Sequence, residues 1–253
     1  MWHIGGARRL VCTLGIGCLV GLLLLPSPLR AQDDGVTGQI WAVFHQAWLP
    51  RGKWQPGGDA GLRFQADDPA AYTRLQVDGT VRYLFNQSID ARAGLRLFYT
   101  FQHGVNQFEV RPYQGAQFIW PRFDRVDLRH FFRLEERFVF QTGSSPGVSV
   151  RLRYRISTVI PLGGLLEQVT GYNRISVPVS AELFFANRED IQEQFGSTLR
   201  LSAGISYIVN DEWSGDASLI FEKSRDTDSG GDFRTTTVML RFDVRHNRPV
   251  IAQ

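Results

Sequence analysis

Cysteine is nearly absent from this 253-residue chain: its two copies, Cys12 and Cys18, both stand near the start. The rest has no means of building a disulfide framework and no thiolate nucleophile. Long apolar runs are also missing. One occurs, Leu10–Leu25, and nothing after residue 31 supplies the ~20 apolar residues of a membrane-spanning helix. An excess of charge of one sign is missing too. The 28 basic residues fall to 25 once Arg8, Arg9 and Arg30 are set aside, equal to the 25 acidic ones. Beyond the leader, the whole-chain excess of +3 thus gives no electrostatic footprint for nucleic acid.

The opening has a recognisable order. Arg8 and Arg9 precede the sixteen-residue apolar run, and Pro26–Ala31 is a breaker-rich stretch ending in a small residue. That is the layout of a secretory signal peptide, so residues 1–31 are expected to be cleaved after Ala31, leaving 32–253 as one domain. An uncleaved anchor is the alternative, but sixteen residues are short for a bilayer span of ~20. Cys18 lies inside the apolar run rather than at its end, which argues against a lipoprotein.

What the remainder does have is a period of two. In YTRLQVDGTVRYLF (72–85), Leu75, Val77, Val81, Tyr83 and Phe85 share one face, while Arg74, Gln76, Asp78, Thr80 and Arg82 share the other. In IDARAGLRLFYTF (89–101), Ile89, Ala91, Ala93, Leu95, Leu97, Tyr99 and Phe101 oppose Asp90, Arg92, Arg96 and Phe98. In 125–141, Arg125, Asp127, Arg129, Arg133, Glu135 and Arg137 alternate with apolar residues, and only His130 and Glu136 break the apolar face. VRLRYRIS (150–157) sets Arg151, Arg153 and Arg155 against Val150, Leu152, Tyr154 and Ile156. The pattern returns at 174–185 and at 198–209, where Arg200 is on the polar side, and more weakly at 38–49, 107–118, 213–222 and 234–245.

A soluble periplasmic β-protein with a binding role would also alternate. But soluble strands run ~5–6 residues, and these run twelve or more. Long strands with one apolar and one charged face suit lipid outside and water inside. The expected fold is all-β: a transmembrane antiparallel up-and-down barrel in the bacterial outer membrane. Aromatic pairs near strand ends, such as Tyr83/Phe85, Tyr99/Phe101, Phe138/Phe140 and Phe184/Phe185, fit membrane-interface girdles. With the short connections Asn86–Ser88 and Asn210–Glu212 placed at the periplasmic side, and 50–71 as an external loop, ten strands are favoured. A strand at Ala60–Gln65 would need another elsewhere and give twelve.

The run LRHFFRLEERF (128–138), followed by VRLRYRIS, resembles the bacterial envelope β-barrel family catalogued as domain of unknown function 2490. VRYLFN (81–86), VRPYQ (110–114) and SAGISYIVND (202–211) extend the likeness over most of the chain beyond the leader. The resemblance implies an outer-membrane barrel without an assigned activity.

The candidate lumen residues are Arg74, Arg82, Arg92, Arg96, Asp127, Arg129, Arg133, Glu135, Arg137, Arg151, Arg153, Arg155 and Arg200. They have two readings. Arginines and carboxylates interlock across strands and fill the barrel, making it a structural envelope component. Or a basic excess on part of the wall makes a small anion-preferring pore. A nucleic-acid platform would need aromatics on the arginine face, and here the aromatics are expected on the opposite one. An outer-membrane hydrolase acting on lipid or peptide is the enzymatic alternative. None of His45, His103, His130 and His246 sits in a G-x-S-x-G setting, so no catalytic residue is assigned. Asp226–Asp232 begins like a calcium loop but has Gly230 and Thr237 where ligands belong, so neither metal nor cofactor is expected. REDIQEQF (188–195) reads as a short helical turn in a loop. The expected partners are outer-membrane lipid, lipopolysaccharide and the barrel-assembly machinery.

Overall fold

The computed structural model describes residues 36–48, 52–65, 71–102, 104–122, 126–162, 174–186, 197–225 and 233–247. The expected leader (1–31), His103, the helical turn expected at 188–195 and the loop expected at 226–232 lie outside the described residues. Every described element is a strand: β1 (Val36–Ala47), β2 (Trp54–Gln65), β3 (Tyr72–Leu84), β4 (Ile89–Gln102), β5 (Val105–Arg122) and β6 (Asp127–Gln141). Then follow β7 (Gly147–Pro161), β8 (Ile175–Ala186), β9 (Ser197–Ile208), β10 (Trp213–Arg225) and β11 (Phe233–His246). Each pairs with its neighbours in sequence, and β1 meets β11, closing a barrel.

All ten expected strands are present, and β2 is an eleventh, inside the stretch expected to be an external loop. Its sequence, WQPGGDAGLRFQ, carries a proline and three glycines, residues depleted in strands, and they dilute the alternation. The two faces are still there: Gly57, Arg63 and Gln65 are buried inward, while Ala60 and Phe64 are exposed. No twelfth strand balances it among the described residues. With an odd number, β1 and β11 run parallel, in continuous register from Val36 opposite Thr236 to Gln46 opposite His246. Closure requires paired backbone groups, not antiparallel ones, so the seam leaves no edge. The first and last strands consequently point the described chain ends to opposite ends of the barrel.

Two turns show how locally the hairpins are set. The Asn86 side-chain oxygen accepts from the backbone N–H groups of Ser88 (2.8 Å) and Ile89 (2.9 Å). Asn210 does the same for Glu212 (2.9 Å) and Trp213 (2.8 Å). Asparagine mimics a backbone turn in this way, and both turns lie at the same barrel end, as expected. The shortest connection, however, is the two-residue link between β4 and β5 at the other end, where Gly104 takes a positive φ of 77°. Short turns therefore occur at both ends, and turn length does not tell them apart.

The barrel is inverted relative to a protein with an oily core. Among the described residues, 34 large hydrophobic side chains are exposed, while the buried set holds 21 polar or charged residues against nine hydrophobic ones. Every strand adds to the outer apolar surface, for example Ile40, Phe64, Leu75, Leu95, Leu152, Leu201 and Leu240. Outer aromatics cluster toward the ends: Trp54 packs on Tyr83 (4.7 Å) and Tyr99 on Phe101 (4.6 Å). No bulge shifts the β6–β7 register at the two residues that break the apolar face. His130 stays outside, stacked on Phe118 at 4.6 Å and bonded to the Tyr154 hydroxyl (2.8 Å). Glu136 is exposed on the outer face, opposite Val150.

Candidate functional site in the barrel interior

Strand alternation turns every second residue inward, and in this chain those positions carry most of the charge. Glu109 on β5 accepts from Arg74 on β3 (2.5 Å), from Arg111 (2.6 Å) and from Arg137 on β6 (2.6 Å). Glu135 on β6 pairs with Arg133, with Arg151 and Arg153 on β7 (2.7 Å each), and with Arg111 (3.5 Å). Glu182 on β8 takes Arg153 (2.6 Å) and Arg200 on β9 (3.4 Å), and Arg200 reaches Glu222 on β10 (2.5 Å). These contacts form one belt from β3 to β10. Ion pairs this deep are costly to desolvate and hold only when the charges stay mutually satisfied. A shared carboxylate bridging several guanidinium groups meets that condition.

Further charges sit beyond the belt, toward the end where β1 and β11 finish. Asp78 holds Arg96 (2.5 Å) and the Tyr113 hydroxyl (2.9 Å). Asp90 holds Arg82 (2.6 Å) and Arg92 (2.9 Å), Asp243 holds Arg241 (2.7 Å), and Asp216 holds Arg245. The described histidines are engaged as well. His45 Nε2 lies 2.6 Å from Asp243, His130 bonds Tyr154 and the Trp120 carbonyl, and His246 Nδ1 contacts Gln46 (2.9 Å).

Aromatic rings share the interior with the arginines, contrary to the expectation that they would lie on the outer face. Arg74 and Arg111 sit over Phe98 (3.9 and 4.5 Å), Arg92 and Arg155 over Phe131 (5.0 and 5.5 Å), and Arg133 over Tyr113 (4.8 Å). Arg153 covers Phe184 (4.7 Å), which is therefore inside, not in an outer girdle, and Arg241 covers Trp41 (4.1 Å). Within 6 Å a ring face attracts a cation, so these rings offset part of the repulsion among the crowded guanidinium groups. A small apolar cluster of Trp41, Val43, Ile220 and Met239 fills the interior behind the seam.

A cavity of about 620 Å³ occupies one half of the interior and reaches the end marked by Ala47, Val159 and Asn247. Its walls hold thirteen arginines and six carboxylates. Asp90, Glu109 and Glu135 stand just behind those walls and leave the arginines in excess. The floor is the belt. On its far side Gln39, Gln65, Tyr72, Thr100, Val139 and Thr237 are all buried, and none of them lines the cavity.

Nine of the thirteen expected lumen residues line this cavity: Arg74, Arg82, Arg92, Arg96, Arg133, Arg151, Arg153, Arg155 and Arg200. Glu135 and Arg137 are buried in the belt instead. Asp127 and Arg129, at the start of β6, are only partly buried and lie outside the cavity lining. The residues that sequence reasoning missed sit on weakly patterned strands: Asp59 and Arg63 on β2, Glu109, Arg111 and Tyr113 on β5, Asp216 and Glu222 on β10, Arg241 and Asp243 on β11. The spacing E-V-R-P-Y at 109–113 held the signal for the β5 trio. The strand itself is legible at 107–118, but the proline inside it weakens the alternation that would assign its faces.

The fold and its interior define a closed eleven-stranded β-barrel with a charged core and a basic cavity. The chain belongs to the family described as Protein of unknown function (DUF2490), whose model matches residues 39–229. No curated protein matches it. Among solved structures it is similar to an anion-selective porin from Comamonas acidovorans, at 16% identity over 77% of this chain and 53% of the porin, with a TM-score of 0.35. The chain thus spans about half the length of that porin. A likeness this distant has no bearing on what the chain does.

Proposed function

We propose that the protein is an outer-membrane β-barrel, exported by its leader, whose interior is a polar core closed to free flow. The observation that carries this reading is the belt joining Arg74, Glu109, Arg111, Glu135, Arg153, Glu182, Arg200 and Glu222, with packed side chains beyond it. The apolar outer surface supports the membrane placement, because every strand would otherwise present hydrocarbon to water. Lipid and lipopolysaccharide then contact the outer face, and the barrel-assembly machinery inserts the chain. In this role the charges hold the barrel's cross-section in place of an oily core.

A small anion-preferring pore is the second reading, favoured by the excess of arginine over carboxylate on the cavity wall. Hydrolysis of lipid or peptide has less support, because the described histidines bond carboxylates, a phenol, a carbonyl and an amide rather than a hydroxyl nucleophile. The deciding experiment is conductance in planar bilayers, using protein shown to be folded by its altered gel migration before boiling. A silent bilayer is expected. Steady anion-selective current would replace the closed barrel with the pore, and absence from the membrane fraction would remove both.

A further inference from the structure

We propose that the cavity is a binding site for an oxyanion, a phosphate or carboxylate group, and that Arg155 is its main recognition residue. This rests on the reading of an interior closed by the belt, which makes the cavity a blind vestibule rather than a conduit.

Arg155 is the exception among the cavity arginines. It sits in register opposite Glu182, yet that carboxylate is engaged by Arg153 (2.6 Å) and Arg200 (3.4 Å). Arg155 is left with the face of Phe131 at 5.5 Å and with no acceptor for its buried Nε among the described residues. Its other charged neighbours are arginines: Arg133, Arg92 and Arg241. A buried guanidinium that makes no direct ion pair and has three other guanidinium groups as neighbours is held at a cost. An anion entering the cavity removes that cost.

The uncommitted hydrogen-bonding groups on this wall are mostly donors. The Nε atoms of Arg82, Arg133 and Arg155 and the indole Nε1 of Trp41 are buried, belong to residues of the cavity lining and have no partner among the described residues. Against these four donors stands one buried side-chain acceptor without a partner, an oxygen of Asp216 whose companion holds Arg245, while the Thr158 hydroxyl can act either way. Buried donors left unmade are expensive, and charge-assisted bonds to an anion are the strongest way of making them. A volume of about 620 Å³ admits a small organic phosphate or carboxylate as readily as the inorganic ion.

The test is calorimetric titration of the folded barrel, in detergent micelles, with inorganic phosphate at low and high salt. Saturable binding that weakens with salt is expected. Arg155→Gln should weaken it about tenfold, the effect of one charged hydrogen bond. Arg129→Gln is the control: its Nε is equally without a partner, but it lies outside the cavity lining and its loss should leave binding unchanged. Glu182, the carboxylate opposite Arg155, keeps its direct pairs with Arg153 and Arg200, so removing Arg155 orphans no anion and folding should survive. If the gel shift is lost nevertheless, Arg155→Lys carries the comparison, with a smaller loss because a point charge replaces the planar fork. Adding phosphatidic acid to the micelles separates sources: competition assigns the oxyanion to a headgroup, and none assigns it to a soluble solute. Absence of saturable binding, or equal affinities for wild type and Arg155→Gln, would overturn the proposal. Conductance tests the closed barrel separately, so steady current alongside phosphate binding would remove only the blind end.

Discussion

Arg153 on β7 donates to Glu135 on β6 at 2.7 Å and, through its other nitrogens, to Glu182 on β8 at 2.6 Å. One planar cation thus ties three adjacent strands together at the level where the interior closes. Guanidinium has the geometry for this because its donors lie in one rigid fork, which a lysine ammonium cannot reproduce.

Glu135 is fully buried and pairs with four arginines, so losing it should be more damaging than losing any one of them. Glu135→Ala leaves buried positive charge without compensation, an expected loss of about 3–5 kcal/mol. Urea unfolding of the micelle-bound barrel measures it. A variant as stable as wild type would mean that the belt contributes nothing to stability.

Leu201 and Ser202 are adjacent on β9, with Leu201 exposed on the outer face and Ser202 lining the cavity. Spin labels placed singly at these positions in liposomes should report opposite surroundings. The first should collide with oxygen dissolved in lipid and the second with a water-soluble nickel chelate. The same response from both would contradict the membrane placement.

Ala42 faces Phe242 across the parallel seam. Because both cysteines of the chain lie at positions 12 and 18, the pair Ala42→Cys and Phe242→Cys can be oxidised without competition in protein that starts at residue 32. Efficient disulfide formation in the folded barrel is the expected result, read on non-reducing gels. Its failure, with the cysteines accessible to a thiol reagent, would exclude the parallel register.

Gly94 lies beneath the ring of Tyr113: a Cβ there would stand 2.5 Å from the ring and 2.6 Å from the Gly79 carbonyl oxygen. That close approach lets the Tyr113 hydroxyl reach Asp78 at 2.9 Å. Gly94→Val should displace the ring, break that bond and cost about 1–3 kcal/mol through overpacking. The shift in urea midpoint checks it, and an unchanged midpoint would show that the ring has room elsewhere.

How much of this was legible beforehand varied with how clean the alternation was. VRLRYRIS disclosed its faces outright, and Arg151, Arg153 and Arg155 all line the cavity. β2 was hidden because Pro56, Gly57, Gly58 and Gly61 supply little of the contrast that marks a strand. Glu109 and Arg111 were passed over because Pro112 interrupts their segment. The inward aromatics Phe98, Phe131 and Phe184 were hard to interpret for a different reason: an apolar ring on a polar face makes sense only once the arginines above it are in place.

The linear chain by itself determined which way most side chains face, because the period of two is a property of extended backbone and acts between neighbours. Only the tertiary structure decided that eleven strands close through a parallel seam, that Arg74 reaches Glu109 across an intervening strand, and that the Nε of Arg155 is left without an acceptor among the described residues. Those outcomes depend on how far the sheet curves before its ends meet. They also depend on which of several equivalent arginines reaches each carboxylate first, and residues far apart along the chain settle both together.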